Sequence, residues 1–153
     1  MAIYLVQHGS SLSKDQDPEK GLSAEGKEDT ARIAEVARGY KVSVGAIGHS
    51  GKKRALQTAE IFAAALKPEA GVHQMEGLKP LDDVAAFAEK LTPQSQLMVV
   101  GHLPFMEKLT SFLITGHADR PVFKFQNSGI ICLDEGPDGK GWVITWTLMP
   151  EIQ

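Results

Sequence analysis

Short apolar runs rich in β-branched residues alternate with helix-patterned segments, and that alternation constrains the fold of this chain more than any other feature. Ile3-Tyr4-Leu5-Val6 and the run from Gln96 to Val100 show no in-out alternation, as expected of strands covered on both faces. Between them the apolar spacing is helical. Ser23 can cap a helix running to about Gly39, with Glu25 and Glu28 near its positive end and a stripe of Ile33, Val36, Ala37 and Tyr40. Val42 to Ile47 reads as a second strand. A helix from Lys52 to Leu66 follows, with Ala55, Ala59, Phe62, Ala63 and Leu66 on one face. Val72 to Met75 is a weak strand, and Asp82 can cap a helix carrying Val84, Ala88 and Leu91. Pro104 suits the first turn of a helix whose core face is Phe105, Leu109, Phe112 and Leu113. Gly129 to Asp134 and Trp142 to Thr147 form a hairpin around Glu135–Gly141. Residues 10–22 are a polar loop. The expected fold class is α/β: a mostly parallel central sheet covered on both faces, with an antiparallel C-terminal portion.

Composition narrows what such a chain does. Its 153 residues suit a single domain, 1–153, able to bury roughly 70% of its unfolded surface. A net charge of −3 removes the long-range attraction a non-specific nucleic-acid binder needs. Cys132, the sole cysteine, cannot form an internal disulfide, and no Cys/His zinc spacing occurs. The apolar start is too short for a signal-peptide core, and no run approaches a membrane span. A cytoplasmic protein with neither membrane nor nucleic-acid partners is the expectation.

In open parallel sheets ligands bind at the carboxyl ends of the strands. Gln7-His8-Gly9 follows the first strand, Gly48-His49-Ser50 the second, and Gly101-His102-Leu103 the strand ending at Val100. Arg54 stands in the first turn of the helix after Ser50, where unpaired N–H groups and the helix dipole favour an anion. His8, His102, Arg54 and two helix starts are therefore expected to converge on a pocket for a small anion, phosphate in the first place. A lone histidine at a strand end is more often a hydrogen-bonded surface residue than a catalyst, so the argument rests on the convergence. A metal site is the rival. It lacks a third ligand at helical spacing, and Arg54 would repel a cation. His49 is expected to stand beside the pocket, and His73 and His117 on the surface. Lys52 and Lys53 on an exposed helix start are ordinarily just solvated.

The motifs resemble the histidine phosphatase superfamily, most closely its small SixA-type phosphohistidine phosphatase branch. Tyr4-Leu5-Val6-Gln7-His8-Gly9 is similar to the opening strand and RHG motif, except at Gln7. Leu22-Ser23-Ala24-Glu25-Gly26 resembles the start of the first helix. Ser50-Gly51-Lys52-Lys53-Arg54-Ala55-Leu56-Gln57-Thr58-Ala59 is similar to the S-x-x-x-R-A-x-Q-T-A stretch, and Val99 to Pro104 to the second-histidine motif. Asn127-Ser128-Gly129-Ile130 and the Trp142–Trp146 strand resemble the end of SixA-type chains. The resemblance implies a three-layer, phosphoglycerate mutase-like α/β/α sandwich.

It also implies a metal-independent phosphatase without cofactors. His8 would be the nucleophile, taking the phosphoryl group onto a ring nitrogen and passing it to water. Arg54 and His102 would hold the equatorial oxygens, with further phosphate contacts from Gln7, Gly9 and Leu103 and from helix-start amides. Gln7 departs from the pattern. It keeps an N–H donor but loses the charge and planar fork of the usual arginine, an exchange worth on the order of 10–100-fold in rate. Lys14, Lys20 or Lys52 could lend charge instead. Asp82 and Asp83 lie where larger members keep a proton donor, although a helix N-cap plus a first-turn acid is the simpler reading. The chain lacks room for inserted lid elements, so an open site suited to a phosphorylated protein, such as a histidine phosphotransfer domain, is implied. A small phosphate ester is the alternative substrate. A phosphate-binding module without turnover is the alternative from another class.

Overall fold

Four strands, each followed by a helical segment or a turn, precede a C-terminal hairpin. A computed structural model describes residues 1–152. The elements are β1 (Ile3–Gln7), α1 (Ala24–Gly39), β2 (Ala46–His49), α2 (Lys53–Leu66), β3 (Val72–Gln74), α3 (Val84–Ala88), β4 (Leu97–Gly101), α4 (Phe105–Thr115), β5 (Ile130–Glu135) and β6 (Trp142–Leu148). They build one sheet in the order β3-β2-β4-β1-β5-β6. β3, β2, β4 and β1 are mutually parallel, and β5 and β6 are antiparallel additions. This is the expected mostly parallel sheet with its antiparallel C-terminal portion.

Strand alternation sorts the side chains into two cores. Ile3 and Leu5 of β1 join Val99, Ile131, Phe87, Phe105 and Leu109 under α3 and α4. Tyr4 and Val6 join Ile47, Met98 and Val100 against Ile33, Ala37, Ala59 and Phe62 of α1 and α2. Both faces of β1 and β4 are therefore covered, which gives three layers and explains why neither run carries a polar side. Parallel pairing puts the carboxyl ends of β1, β2 and β4 on one edge, with Gln7 opposite Gly101.

Four local expectations are corrected. β2 spans Ala46–His49, not Val42 to Ile47, because the chain is still leaving α1 there: the Val42 amide donates to the Ala37 carbonyl. In α1 the inner face is Gly26, Thr30, Ile33, Ala34 and Ala37, whereas Tyr40 is 80% exposed and Val36 faces outward with it. Asp83, not Asp82, caps α3, accepting from the Ala85 amide at 2.9 Å, while Asp82 accepts from the Lys79 amide. Pro104 occupies the N-cap of α4 and not its first turn. Ser23 caps α1 as expected, accepting from the Gly26 amide.

Candidate active site

His8 leaves the end of β1 tied at three points. Its amide donates to the Gly101 carbonyl of β4 at 3.1 Å, and its carbonyl accepts from Asn127 Nδ2 at 2.8 Å. Its ring Nδ1 lies 2.7 Å from the Gly9 carbonyl. A carbonyl only accepts, so in the neutral ring Nδ1 carries the proton and Nε2 keeps its lone pair free. Burial is the main influence on the His8 pKa and lowers it from 6.5. The Gly9 bond opposes that, and the Arg54 and Lys20 charges add to it. The ring is therefore neutral near pH 7.

Gly9 is held in turn. Its amide donates to Thr58 Oγ1 at 2.9 Å, and that hydroxyl donates to the Arg54 carbonyl at 2.7 Å. The Gly9 amide is thus committed to Thr58 and not free for an anion. Gly9 serves the site through the carbonyl that orients His8. A second chain of bonds fixes Gln7: its carbonyl accepts from the Ser128 amide, and Ser128 Oγ lies 2.7 Å from Thr30 Oγ1. Thr30, Thr58 and Ser128 are fully buried, so these hydroxyls form a framework sealed from water.

His102 follows β4 and is 3% exposed. Its ring centroid stands 4.9 Å from that of His8, at a tilt of 50°. Nε2 lies 2.5 Å from Ser50 Oγ, and Nδ1 is buried without a partner among the described residues. Burial first, then the charges of His8, Arg54 and Lys52, push its pKa down to about 3. An arriving oxyanion would oppose that shift by favouring the charged ring.

Arg54, in the first turn of α2, is half-buried. Its guanidinium makes no ion pair with a carboxylate among the described residues, yet its charge acts on both imidazoles. The starts of α2 and α4 both lack a side-chain cap. Gln7 ends β1 half-buried, with Oε1 buried and without a partner among the described residues. Gln7 and Leu103, the neighbours of His8 and His102, line a cavity of about 280 Å³ together with Lys124 and the carboxylates of Glu25, Asp29 and Glu151; neither histidine lines it. A larger cavity of about 620 Å³, lined by Tyr4, Tyr40 and Trp146, holds none of the residues of the histidine pair. Among the described residues no cluster of three His, Cys, Asp or Glu could hold a metal.

The remaining candidates fall outside the pair. His49 belongs to β2, and its Nδ1 accepts from the Gly51 amide, supporting the turn into α2. The exposed His73 ring bonds the Ala70 carbonyl, and His117 is exposed. Neither Asp82 nor Asp83 is among the charges acting on His8 or His102, and each carboxylate is engaged with a local amide. Of the three candidate lysines, Lys20 acts on His8 and Lys52 on His102, while Lys14 acts on neither. Thr58, Asn127 and Ser50 lay inside the quoted motifs, but nothing in their spacing revealed what they would bond.

Comparison with known proteins fits this geometry. The family model described as histidine phosphatase superfamily (branch 1) matches residues 3–83. An uncharacterised protein of Picosynechococcus sp. is 29% identical over 146 residues, 89% of this chain and 86% of that protein. The structure of the protein histidine phosphatase SixA complexed with tungstate superimposes with a TM-score of 0.81 at 25% identity, covering 98% of this chain and 97% of that one. A mycobacterial glucosyl-3-phosphoglycerate phosphatase in complex with VO3 shares the fold, with a TM-score of 0.70 at 15% identity, covering 95% and 97% of the two chains.

Proposed function

This chain belongs to the histidine phosphatase superfamily and is a phosphatase; we propose that it works through a covalent phosphohistidine on His8, with a phosphohistidine-bearing protein as substrate. The observation that supports this most directly is the pairing of two imidazoles 4.9 Å apart, one with its Nδ1 proton committed to Gly9. The free His8 Nε2 attacks phosphorus. The P–N bond to the substrate imidazole breaks, and that imidazole leaves with the electron pair and takes up a proton. Water then attacks phosphorus, releasing inorganic phosphate and restoring His8. Arg54 and the His102 ring hold the equatorial oxygens throughout, and charge stabilisation of this kind carries most of the catalysis of phosphoryl transfer. Because these charges belong to the protein, no step requires a metal.

The similar SixA structure, a protein histidine phosphatase holding an oxyanion, supports the substrate class. No helix among the described residues is long and apolar enough to cross a membrane, and the free thiol of Cys132 is buried; the reading places the reaction in the cytoplasm. A small phosphate ester is the second reading, supported by the shared fold of the glucosyl-3-phosphoglycerate phosphatase.

Phosphate release from a phosphohistidine peptide, measured for wild type, His8→Ala and Gln7→Arg in parallel, tests the proposal. His8→Ala should abolish turnover and lose the trapped phosphoryl-enzyme, and Gln7→Arg should raise the rate by about 10–100-fold. Turnover by His8→Ala equal to wild type would overturn it. A preference for a sugar or aryl phosphate over the peptide would select the second reading.

A further inference from the structure

The His102 backbone is fixed where β4 runs into α4: its carbonyl accepts from the Met106 amide at 2.9 Å. The ring is fixed differently. Turning an imidazole over about its Cβ–Cγ bond exchanges Nδ1 with Cδ2 and Nε2 with Cε1, two placements of nearly equal shape. Packing that leaves the residue 3% exposed therefore does not choose between them, and hydrogen bonding does. Nδ1 has no partner among the described residues, so the choice falls on the bond at the other nitrogen, 2.5 Å between Nε2 and Ser50 Oγ. A hydroxyl both donates and accepts, so that bond holds whichever ring nitrogen carries the proton.

Ser50 is held in turn by the segment between β2 and α2. The His49 carbonyl accepts from the Met75 amide at 2.8 Å, and its Nδ1 accepts from the Gly51 amide at 3.0 Å. Gly51 takes φ 92°, and a Cβ there would fall 2.6 Å from Gln74 Nε2. The Lys52 amide reaches Ser50 Oγ at 3.4 Å. The end of β3 thus fixes the turn that follows β2, and the turn presents a hydroxyl to the histidine that follows the neighbouring strand β4.

We propose that Ser50 is a positioning residue for the phosphatase reaction, holding the His102 ring in the orientation that meets the phosphoryl oxygens. The inference rests on the role given to His102 in the mechanism proposed above. Ser50 does for His102 what the Gly9 carbonyl does for His8: each holds one ring nitrogen and so fixes where the other atoms of the ring stand. A ring released from Ser50 turns over, and carbon then stands where nitrogen stood.

Ring-nitrogen NMR spectra of histidine-labelled protein and kcat/KM on the phosphohistidine peptide test this together. The proteins are wild type, Ser50→Ala, Ser50→Thr, His102→Ala and the Ser50→Ala, His102→Ala double variant. In wild type the His102 nitrogens, identified by their loss in His102→Ala, should appear as one bare and one protonated nitrogen. In Ser50→Ala the two signals should draw together as tautomers and ring orientations average. Ser50→Ala should lower kcat/KM by about 10–100-fold. Ser50→Thr keeps the hydroxyl and should stay within about threefold of wild type. In the His102→Ala background Ser50→Ala should cost less than about twofold, because a residue that acts through the ring then has nothing to position. Calorimetric titration of inorganic phosphate into the same proteins should show the same loss of effect. An undiminished Ser50→Ala loss without the His102 ring would make Ser50 a direct phosphate contact and overturn the assignment. His102 nitrogen signals unchanged by Ser50→Ala would overturn it as well. Both results leave the His8 chemistry standing, whereas turnover by His8→Ala removes that chemistry without moving the His102 signals, so the two failures are distinguishable.

Discussion

Thr58→Val isolates one hydroxyl that has no contact with substrate. Thr58 is 0% exposed; its Oγ1 accepts the Gly9 amide at 2.9 Å and donates to the Arg54 carbonyl at 2.7 Å. Valine has nearly the same shape, so no cavity opens and the change is purely polar. The Arg54 carbonyl keeps a helical partner, but the Gly9 amide is left buried without an acceptor, at about 1–3 kcal/mol. In a chain of this size that lowers the melting temperature by roughly 3–10 °C. The Gly9 carbonyl also orients His8 through Nδ1, so movement of Gly9 toward a new partner turns the nucleophile with it. A misplacement near 1 Å is worth about 100-fold, and kcat/KM should fall by about 10–100-fold. Thr58→Ser is the control. It keeps the hydroxyl, loses one methyl group at about 1 kcal/mol, and should retain near-wild-type kcat/KM. Thermal melts and phosphate-release kinetics on the three proteins decide the matter. A valine variant as active as the serine variant would refute the claim that this bond positions His8.

Beyond the His8 and Gln7 variants, three outcomes follow from the same structure. His8 must be neutral to attack, and its pKa lies below 6.5, so the kcat/KM–pH profile should stay level from neutral pH to below 6.5 before its acid limb falls. His102 binds its proton more weakly folded than unfolded, so stability should decline as pH falls from about 6.5 toward 3, read as a falling melting temperature. Gly26→Ala should destabilise by roughly 2–4 kcal/mol, because a Cβ there would lie 2.1 Å from the Ser10 carbonyl oxygen; chemical denaturation measures it, and a change below about 1 kcal/mol would contradict the packing.

Local pattern alone determined the α/β class, the strands β1 and β4, and the delivery of His8 and His102 to one edge. A run with no polar side must be covered on both faces, and a parallel sheet puts the residues after its strands together. Pattern misplaced β2 because Val42 and Val44 look like strand residues, although Val42 still bonds back to α1. It misjudged Tyr40 because that residue is the C-cap beyond the last turn of α1, where it is 80% exposed. Only the tertiary structure decided which groups hold the histidines. Asn127 is 119 positions from His8, Ser50 is 52 from His102, and Thr58 is 49 from Gly9. Hydrophobic periodicity is a property of neighbours along the chain and can be read there. A hydrogen bond or a charge acts over a few ångströms of space, and those distances exist only once the layers have packed.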